Sequence, residues 1–447
     1  MSGVGFDMKN MNRTQPDYPA INRAILIIIP SIVITVISVI LFSQLSGLSG
    51  KQMNVFSITI ISAVVLSLIL MAGMQVLIYR IIDDREYFKD GAAVRATRLG
   101  MVYSLFISLI ISAILYPLFN GVLGFSLMEY LFFALLLLMY SAIWVFSSAL
   151  WAAEQYAYPA IIFSISYLAI LGLTIYAYDA GHAYTIWGYS LGTIILFSLL
   201  LVSARIFPKP VTNHKLTDEL PKMFRLVSHS GTAILFSIFY VTAVFLDKII
   251  VWVHQGLASG QGLLITGSYS IGSFLGLIPM FSIAVMAYFT KRTKSLNDER
   301  YNGTFPEIQQ RVLDYKAIYR SSIVALLIVA LCLFALIASL SYYYFSDKEI
   351  LKVLVTTSIG SIFFSVIVFN SGVLPIFGKT SISTLAVFIV IIFEILAIPF
   401  VALDVWYASL GFLVGSFAGF FISITSTMRL FHHFEYNMFR YLLSSNK

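Results

Sequence analysis

An ionisable side chain in a hydrocarbon-length apolar run is costly to bury, so it reads by default as a functional group. Three such residues stand out: Glu394 in IVIIFEILAIPF, and the adjacent Asp247 and Lys248 in GTAILFSIFYVTAVFLDKIIVW. At 1.5 Å per residue, Glu394 lies roughly 18 Å into its run, just past the middle of a bilayer. Pro399 follows it, and a proline ring frees the carbonyl four residues back, that of Ile395, beside the carboxylate. A midplane acid next to a disrupted helix resembles a coupling-ion or substrate site. The other reading is a neutral acid bonded to a neighbouring helix. The rise from Gly231 to Asp247 is ~24 Å, which sets Asp247 and Lys248 near the far edge of their run. Lys248 is then expected to snorkel outward, with Trp252 at the interface. Neighbouring residues diverge by about 100° around a helix, so the two charges are expected to face apart and at least one needs another partner. Lining the mouth of a pathway and anchoring at the interface both remain open for this pair.

Asn370 and Gln75 also fall inside apolar runs, where each either lines a polar cavity or bonds between helices. Pro30 and Pro279 lie well inside runs and are expected to kink them, a feature that gating would use. Asp83-Asp84-Arg85-Glu86 is interleaved with Arg80 and Lys89, and no second acidic motif accompanies it. It reads as a salt-bridged loop rather than a Mg²⁺ site. No phosphate-binding loop, Ser/His/Asp pattern or Cys/His cluster is present. His432-His433 lacks helical ligand spacing, and the single cysteine, Cys332, can form no intrachain disulfide. No catalytic residue, metal site or cofactor is expected, nor an enzyme or ATPase.

The elements that carry these residues are membrane spans. The 447 residues are 59% hydrophobic and 11% charged, whereas soluble domains carry roughly 25% charged residues. Continuous apolar runs at 24–46, 55–79, 99–119, 127–151, 158–178, 184–204, 229–252, 263–289, 318–341, 350–374, 380–402 and 406–429 predict about 12 transmembrane helices. Transmembrane strands would instead alternate over ~10 residues. The first run lacks a small-residue cleavage site and is expected to be retained. The net charge of +7 signals topology rather than nucleic-acid binding: basic residues crowd the tail, the even-numbered loops and the C-terminus. The positive-inside rule puts both termini in the cytosol. Tyr176, Tyr178, Tyr184, Trp187 and Tyr342 to Tyr344 mark the outer boundary.

Trp187-Gly-Tyr-Ser190-Leu191-Gly192 in the sixth run and Trp406-Tyr-Ala-Ser409-Leu410-Gly411 in the twelfth share W-x-x-S-L-G. The long basic loops 80–98 and 291–320 also correspond between halves. Six plus six helices of equal orientation make a parallel repeat about an axis along the membrane normal. The expected fold is therefore an all-α polytopic membrane protein with two six-helix bundles. Its parts are a cytosolic tail 1–23, a bundle 24–205, a cytosolic linker 206–228, a bundle 229–430 and a cytosolic tail 431–447. Glycines at four-residue spacing (Gly188/Gly192, Gly272/Gly276, Gly411/Gly415/Gly419) suggest close helix packing within the bundles.

Asp247-Lys248-Ile-Ile-Val-Trp252, a Gly-rich turn and Tyr269-Ser resemble the start of the second half in Wzx-like transporters of the MOP superfamily, which includes the MATE proteins. Four features narrow the resemblance to the Pel exopolysaccharide transporter (PelG) family. The opening Gly3-Val-Gly5-Phe6-Asp7-Met8-Lys9 is similar to G-I-G-F-E-L-R, and Asp247-Lys248-x-x-x-Trp252 to D-K-W-x-x-W. The run from Ile278-Pro279 to Tyr288-Phe289, followed by a basic loop with Tyr301, matches in outline. Phe434-Glu435-Tyr436-Asn-Met-Phe439 is like L-x-Y-x-T-F. Ile29-Pro30-Ser31 departs from an expected G-P-W.

The resemblance implies a V-shaped pair of bundles around a central cavity. It also implies export of a partly deacetylated amino-sugar polymer alongside membrane partners and a cytosolic glycosyltransferase. The expected function is outward export of exopolysaccharide, or a lipid-linked sugar precursor, across the cytoplasmic membrane by alternating access. The partners would be that substrate, a synthase complex and the lipid bilayer, with no nucleic acid. Glu394 and Asp247 would offer negative charge to a cationic amino sugar, with Lys248, Asn370 and Gln75 on the same pathway. A cation-coupled multidrug or lipid-precursor flippase of the same fold is one rival. A membrane scaffold that holds a glycosyltransferase without moving anything is another.

Overall fold

The computed structural model describes residues 20–45, 48, 50–83, 92–207, 216–259, 263, 267–286, 289, 305–345, 347–374 and 379–432. Among them there is no strand. Helices are the expected outcome, because a lipid-facing chain must bond its backbone polar groups within each segment. In order they are α1 (Ala20–Gln44), α2 (Gly50–Asp83), α3 (Ala92–Gly121), α4 (Leu127–Ala152), α5 (Ala157–Ala180) and α6 (Thr185–Ser203). They continue with α7 (Leu216–Ala258), α8 (Ser268–Gly276), α9 (Phe305–Tyr344), α10 (Lys348–Val373), α11 (Thr380–Val401) and α12 (Trp406–His432).

Ten helices among the described residues are long and apolar enough to cross a membrane, while Ile28–Ser38 and Ser268–Ala284 are shorter apolar stretches. The eighth element is broken: α8 ends at Gly276 and a 3₁₀ segment, Ile278–Ala284, follows with Pro279 in its first turn. Proline has no N–H to donate, and Ser361 Oγ of α10 donates to Gly276 O at 2.8 Å beside the break. Pro30, by contrast, sits inside α1 without ending it.

Two connections differ from the sequence expectation. α7 starts at Leu216, within the presumed linker 206–228, and has 43 residues, or ~64 Å, about twice a hydrocarbon core. α9 starts at Phe305, inside the basic loop 291–320. Hydropathy marks where lipid ends, whereas a helix continues as long as its backbone ladder is favourable. Local signals close other ends. Ser126 and Glu129 form a reciprocal capping box at the start of α4, and Asp347 caps α10 through Glu349 N at 2.9 Å.

α2 packs on α3 and α4, α4 on α6, and α5 on α1 and α6. Later in the chain, α7 packs on α11 and α12, α10 on α8, α9 and α12, and α11 on α12. The broadest seam between the two sets is α2 on α7, where Ser237 Oγ donates to Ala72 O at 2.9 Å. Trp252 is only 2% exposed and joins the core of the first six helices, so its ring packs against protein rather than lipid. At the loop end of the second set, Lys352 pairs with Asp404 at 2.8 Å and lies 4.2 Å from the centre of the Trp406 ring. The Lys352 ammonium holds the Asp404 carboxyl below its usual range.

The repeated W-x-x-S-L-G places glycines where two helices touch. A Cβ on Gly192 would lie 2.6 Å from Ile170 Cα of α5, and one on Gly188 2.4 Å from Leu173 O. A Cβ on Gly411 would lie 2.8 Å from Ala397 Cβ of α11, and one on Gly415 2.8 Å from Val390 Cα. The sixth helix thus packs on the fifth as the twelfth packs on the eleventh. Gly192→Val and Gly415→Val are each expected to lower stability by about 1–3 kcal/mol through overpacking. Gly172→Ala, where nothing lies within 4 Å of the added carbon, serves as the neutral control. Thermal unfolding of the purified variants measures the difference.

Candidate functional site

Asp247, Lys248 and Glu394 are all 0% exposed and share one apolar interior formed by α7, α8, α11 and α12. Lys248 Nζ donates to Asp247 Oδ1 at 2.8 Å and to Val244 O, one turn back on α7, at 2.9 Å. Tyr269 of α8 donates through its hydroxyl to Asp247 Oδ2 at 2.8 Å. Both Asp247 oxygens are therefore occupied. Phe274 of α8 and Phe412 of α12 wall the ammonium, with ring centres 5.9 and 6.0 Å from Nζ. At that distance the ring faces can attract the cation. Beside the pair, Trp252 Nε1 donates to Ser270 Oγ at 2.9 Å and ties α7 to α8 again.

Glu394 approaches this group from α11, within electrostatic range of Asp247, Lys248 and Tyr269. The Asp247 backbone amide lies near its carboxyl, but that amide sits inside α7 and serves the helix ladder. Neither carboxylate oxygen completes a hydrogen bond. The Glu394 backbone lies against Gly411, whose Cβ position would be 3.2 Å from Glu394 Cα. One ammonium thus pairs with one carboxyl group and lies within electrostatic range of a second. Protonation of one carboxyl, or entry of a second cationic group, would balance the charge.

Three expectations for the pair change. Asp247 and Lys248 do not face apart: they are ion-paired. The 100° divergence describes Cα–Cβ directions, and a four-carbon lysine stem can fold back across it. Lys248 does not snorkel outward either. Helical side chains lean toward the N-terminus, and on α7 that direction leads deeper into the bundle, to Val244 O. The pair is also not at a separate level from Glu394. The apolar part of α7 runs from Ser230 to Ala258, so about 16 Å of helix lies beyond Asp247.

Other residues singled out in the sequence fall elsewhere. Asn370 Oδ1 accepts from Tyr319 of α9 at 2.9 Å, and its Nδ2 donates to Ser423 of α12 at 2.8 Å. This amide cross-links three helices. Gln75 is half-buried on α2, and no hydrogen bond joins it to either group. Pro399 and Ile395 lie on the exposed side of α11, whereas Glu394 lies on the buried side. The proline is therefore turned away from the carboxylate it was expected to serve. Pro30 and Pro279 are buried. Asp84, Arg85, Glu86 and Lys89, His433, Tyr288, Tyr301 and the terminal motifs 3–9 and 434–439 lie outside the described residues. Among the described residues, no three His, Cys, Asp or Glu side chains are grouped to hold a metal.

Sequence reasoning missed the role of Tyr269 and a second tyrosine group. Tyr140 OH lies 2.6 Å from Tyr189 OH and 3.5 Å from Tyr167 OH, joining α4, α5 and α6. The available signal was a phenol inside an apolar run, which needs a partner once buried. The partner itself is fixed only by helix packing.

A family model described as PelG, "Putative exopolysaccharide Exporter (EPS-E)", matches residues 1–439. No curated protein sequence matches the chain significantly. Among solved structures, a MOP superfamily transporter from Pyrococcus furiosus is similar, with a TM-score of 0.64 at 15% identity, over 92% of this chain and 96% of that one. A MATE protein in its straight conformation gives 0.66 at 14% identity, over 92% and 96%. A point mutant of the Vibrio cholerae MATE transporter VcmN gives 0.59 at 16% identity, again over 92% and 96%. At these identities the likeness establishes a shared fold.

The Tyr269 hydroxyl is a neutral donor to a buried carboxylate. Tyr269→Phe is expected to cost about 1.5–3 kcal/mol, the range for a hydrogen bond to a charged group, read as a lowered unfolding temperature in detergent.

Proposed function

The chain belongs to the PelG family of exopolysaccharide exporters, and on that premise we propose that it moves an amino-sugar polymer, or its lipid-linked precursor, outward across the cytoplasmic membrane by alternating access. The single observation that carries the reading is the family match over residues 1–439. The MOP-like fold and the helix packing are compatible with it. In this proposal, 24–205 and 229–430 are two six-helix bundles that rock against each other across the α2–α7 seam. Residues 1–23 and 431–447 lie in the cytosol, as does the connection 206–228. The concentration of Lys and Arg on one side of the expected topology supports that orientation.

Glu394, Asp247 and Lys248 are proposed as the polar group that the transport cycle uses. Two carboxyl groups against one ammonium leave negative charge for a cationic amino sugar or a proton, and Glu394 is the carboxyl left without a partner. Asn370, Gln75, Pro30, Pro279 and Pro399 remain candidates of lower weight: the first already bonds Tyr319 and Ser423, and Pro399 faces outward. A cytosolic glycosyltransferase and other membrane subunits complete the proposed synthase complex. The helical extensions of α7 and α9 beyond one bilayer thickness supply surface on the proposed cytosolic side.

Glu394→Gln keeps size and shape while removing the ionisable group. It is expected to lower exported polymer about tenfold or more, the effect of ~1.4 kcal/mol on a rate, in cells matched for membrane-inserted protein. Unchanged export would remove Glu394 from the pathway.

A further inference from the structure

Glu394 is the least satisfied ionisable group described in the second set of helices: both oxygens are buried and neither is bonded. Nearby, the Lys248 ammonium makes two bonds, to Asp247 and to Val244 O, and an ammonium carries three donors. A spare donor therefore lies in the same apolar interior as a carboxyl with none. Both border the Gly411–Phe412 step of α12. Lys248 Nζ is 6.0 Å from the Phe412 ring centre, and the Gly411 Cβ position is 3.2 Å from Glu394 Cα. Asp247 does not depend on Lys248 alone, because Tyr269 donates to its other oxygen.

We propose that Lys248 is a shared ammonium, paired with Asp247 in the state described and with Glu394 in a second state, so that α7 and α11 have two charge-matched arrangements. The inference rests on the reading above that these three residues act in the transport cycle. In the state described, Asp247 holds two donors and Glu394 none. In the second state, Asp247 keeps Tyr269 while Glu394 gains the ammonium, so neither carboxyl is left bare. The exchange needs the lysine stem to swing from one neighbour to another and α7 to shift against α11. Closely packed elements favour two discrete arrangements over a continuum.

A double-mutant cycle on the full-length protein tests the sharing without measuring transport. If each carboxyl can receive Lys248, Asp247→Asn and Glu394→Gln each lower the unfolding temperature by only a few degrees. The double variant then loses much more than their sum. Introducing Lys248→Met into all members of the cycle is expected to make the losses additive. Additive losses in the native-lysine cycle would overturn the proposal. So would an Asp247→Asn variant that fails to fold while Glu394→Gln is unaffected, because Glu394 would then not have taken over the ammonium.

A second measurement reads the two arrangements directly. Spin labels at the exposed positions Leu257 and Leu396, with Cys332→Ser in the background, report the separation of α7 and α11. Asp247→Asn and Glu394→Gln are expected to move the ratio of two populations in opposite directions, each about tenfold or more. Identical distributions would overturn the proposal. Unaltered export by Glu394→Gln would instead overturn the pathway reading, so the two failures are distinguishable.

Discussion

The cost of charge in an apolar interior governs the second set of helices. A buried ion pair repays its desolvation only with good geometry and further bonds, and removing one partner typically costs about 3–5 kcal/mol. Asp247 meets that requirement in full, with Lys248 on one oxygen and Tyr269 on the other. Lys248 adds a bond to Val244 O and two aromatic walls. These contacts dictate that α7, α8 and α12 converge at one level, because a loosened contact would leave a charge exposed to hydrocarbon. Glu394 arrives at the same level from α11 without a bond of its own. That imbalance is the chemical content of the site.

Convergence of this kind requires close backbones, and the glycines provide them. Gly411 and Gly415 allow α12 to lie on α11 at a distance where an added Cβ would already be in conflict. Gly272 and Gly276 do the same for α8 on α10, where their Cβ positions fall 2.7 Å from Ile350 O and 2.6 Å from Thr357 Cβ. In lipid no hydrophobic effect drives helices together, so small residues and interhelical hydrogen bonds carry the association. The Tyr319–Asn370–Ser423 chain provides such bonds across α9, α10 and α12. Charge at one level ties α7 and α8 to α12, amide–hydroxyl bonding at another ties α9 and α10 to the same α12, and the glycine stripes make both reachable.

Much of this architecture was legible in the sequence because it follows from one-dimensional patterns. Apolar run length predicts where a helix can cross, and W-x-x-S-L-G repeats where a helix must approach its predecessor. What could not be read depends on directions and on partners from distant segments. Asp247 and Lys248 could be assigned to a helix but not to one another, since lysine reach overrides the angular separation of adjacent residues. Tyr269 could not be paired with Asp247, because nothing local states that α8 packs there. Pro399 misled for a related reason: proximity in sequence to Glu394 said nothing of which face of α11 each occupies. Helix ends at Leu216 and Phe305 were missed because hydropathy locates the lipid boundary and not the end of the helix.

The two halves share packing but not chemistry, and the glycine contacts locate the difference. Gly192 meets Ile170 on α5 as Gly415 meets Val390 on α11, and Gly188 meets Leu173 O and Ala177 Cβ as Gly411 meets Phe393 O and Ala397 Cβ. At this helix-on-helix step, next in sequence to that carbonyl, the first half buries the Thr174 hydroxyl, which donates to Ile170 O, and the second buries the Glu394 carboxyl. Near that step the first half gathers the neutral hydroxyls of Tyr140, Tyr167 and Tyr189, and the second gathers Asp247, Lys248 and Tyr269. Neutral phenols can satisfy each other in a packed bundle and need no exchange with solvent. A group with two carboxyls and one ammonium lacks that closure, and its balance depends on a proton, a ligand or a change of partner. That group sits among the seams of the second half, where α7 also carries the broad contact with α2. In the proposed cycle, this polar group on α7 is the one placed to bias the position of one half against the other.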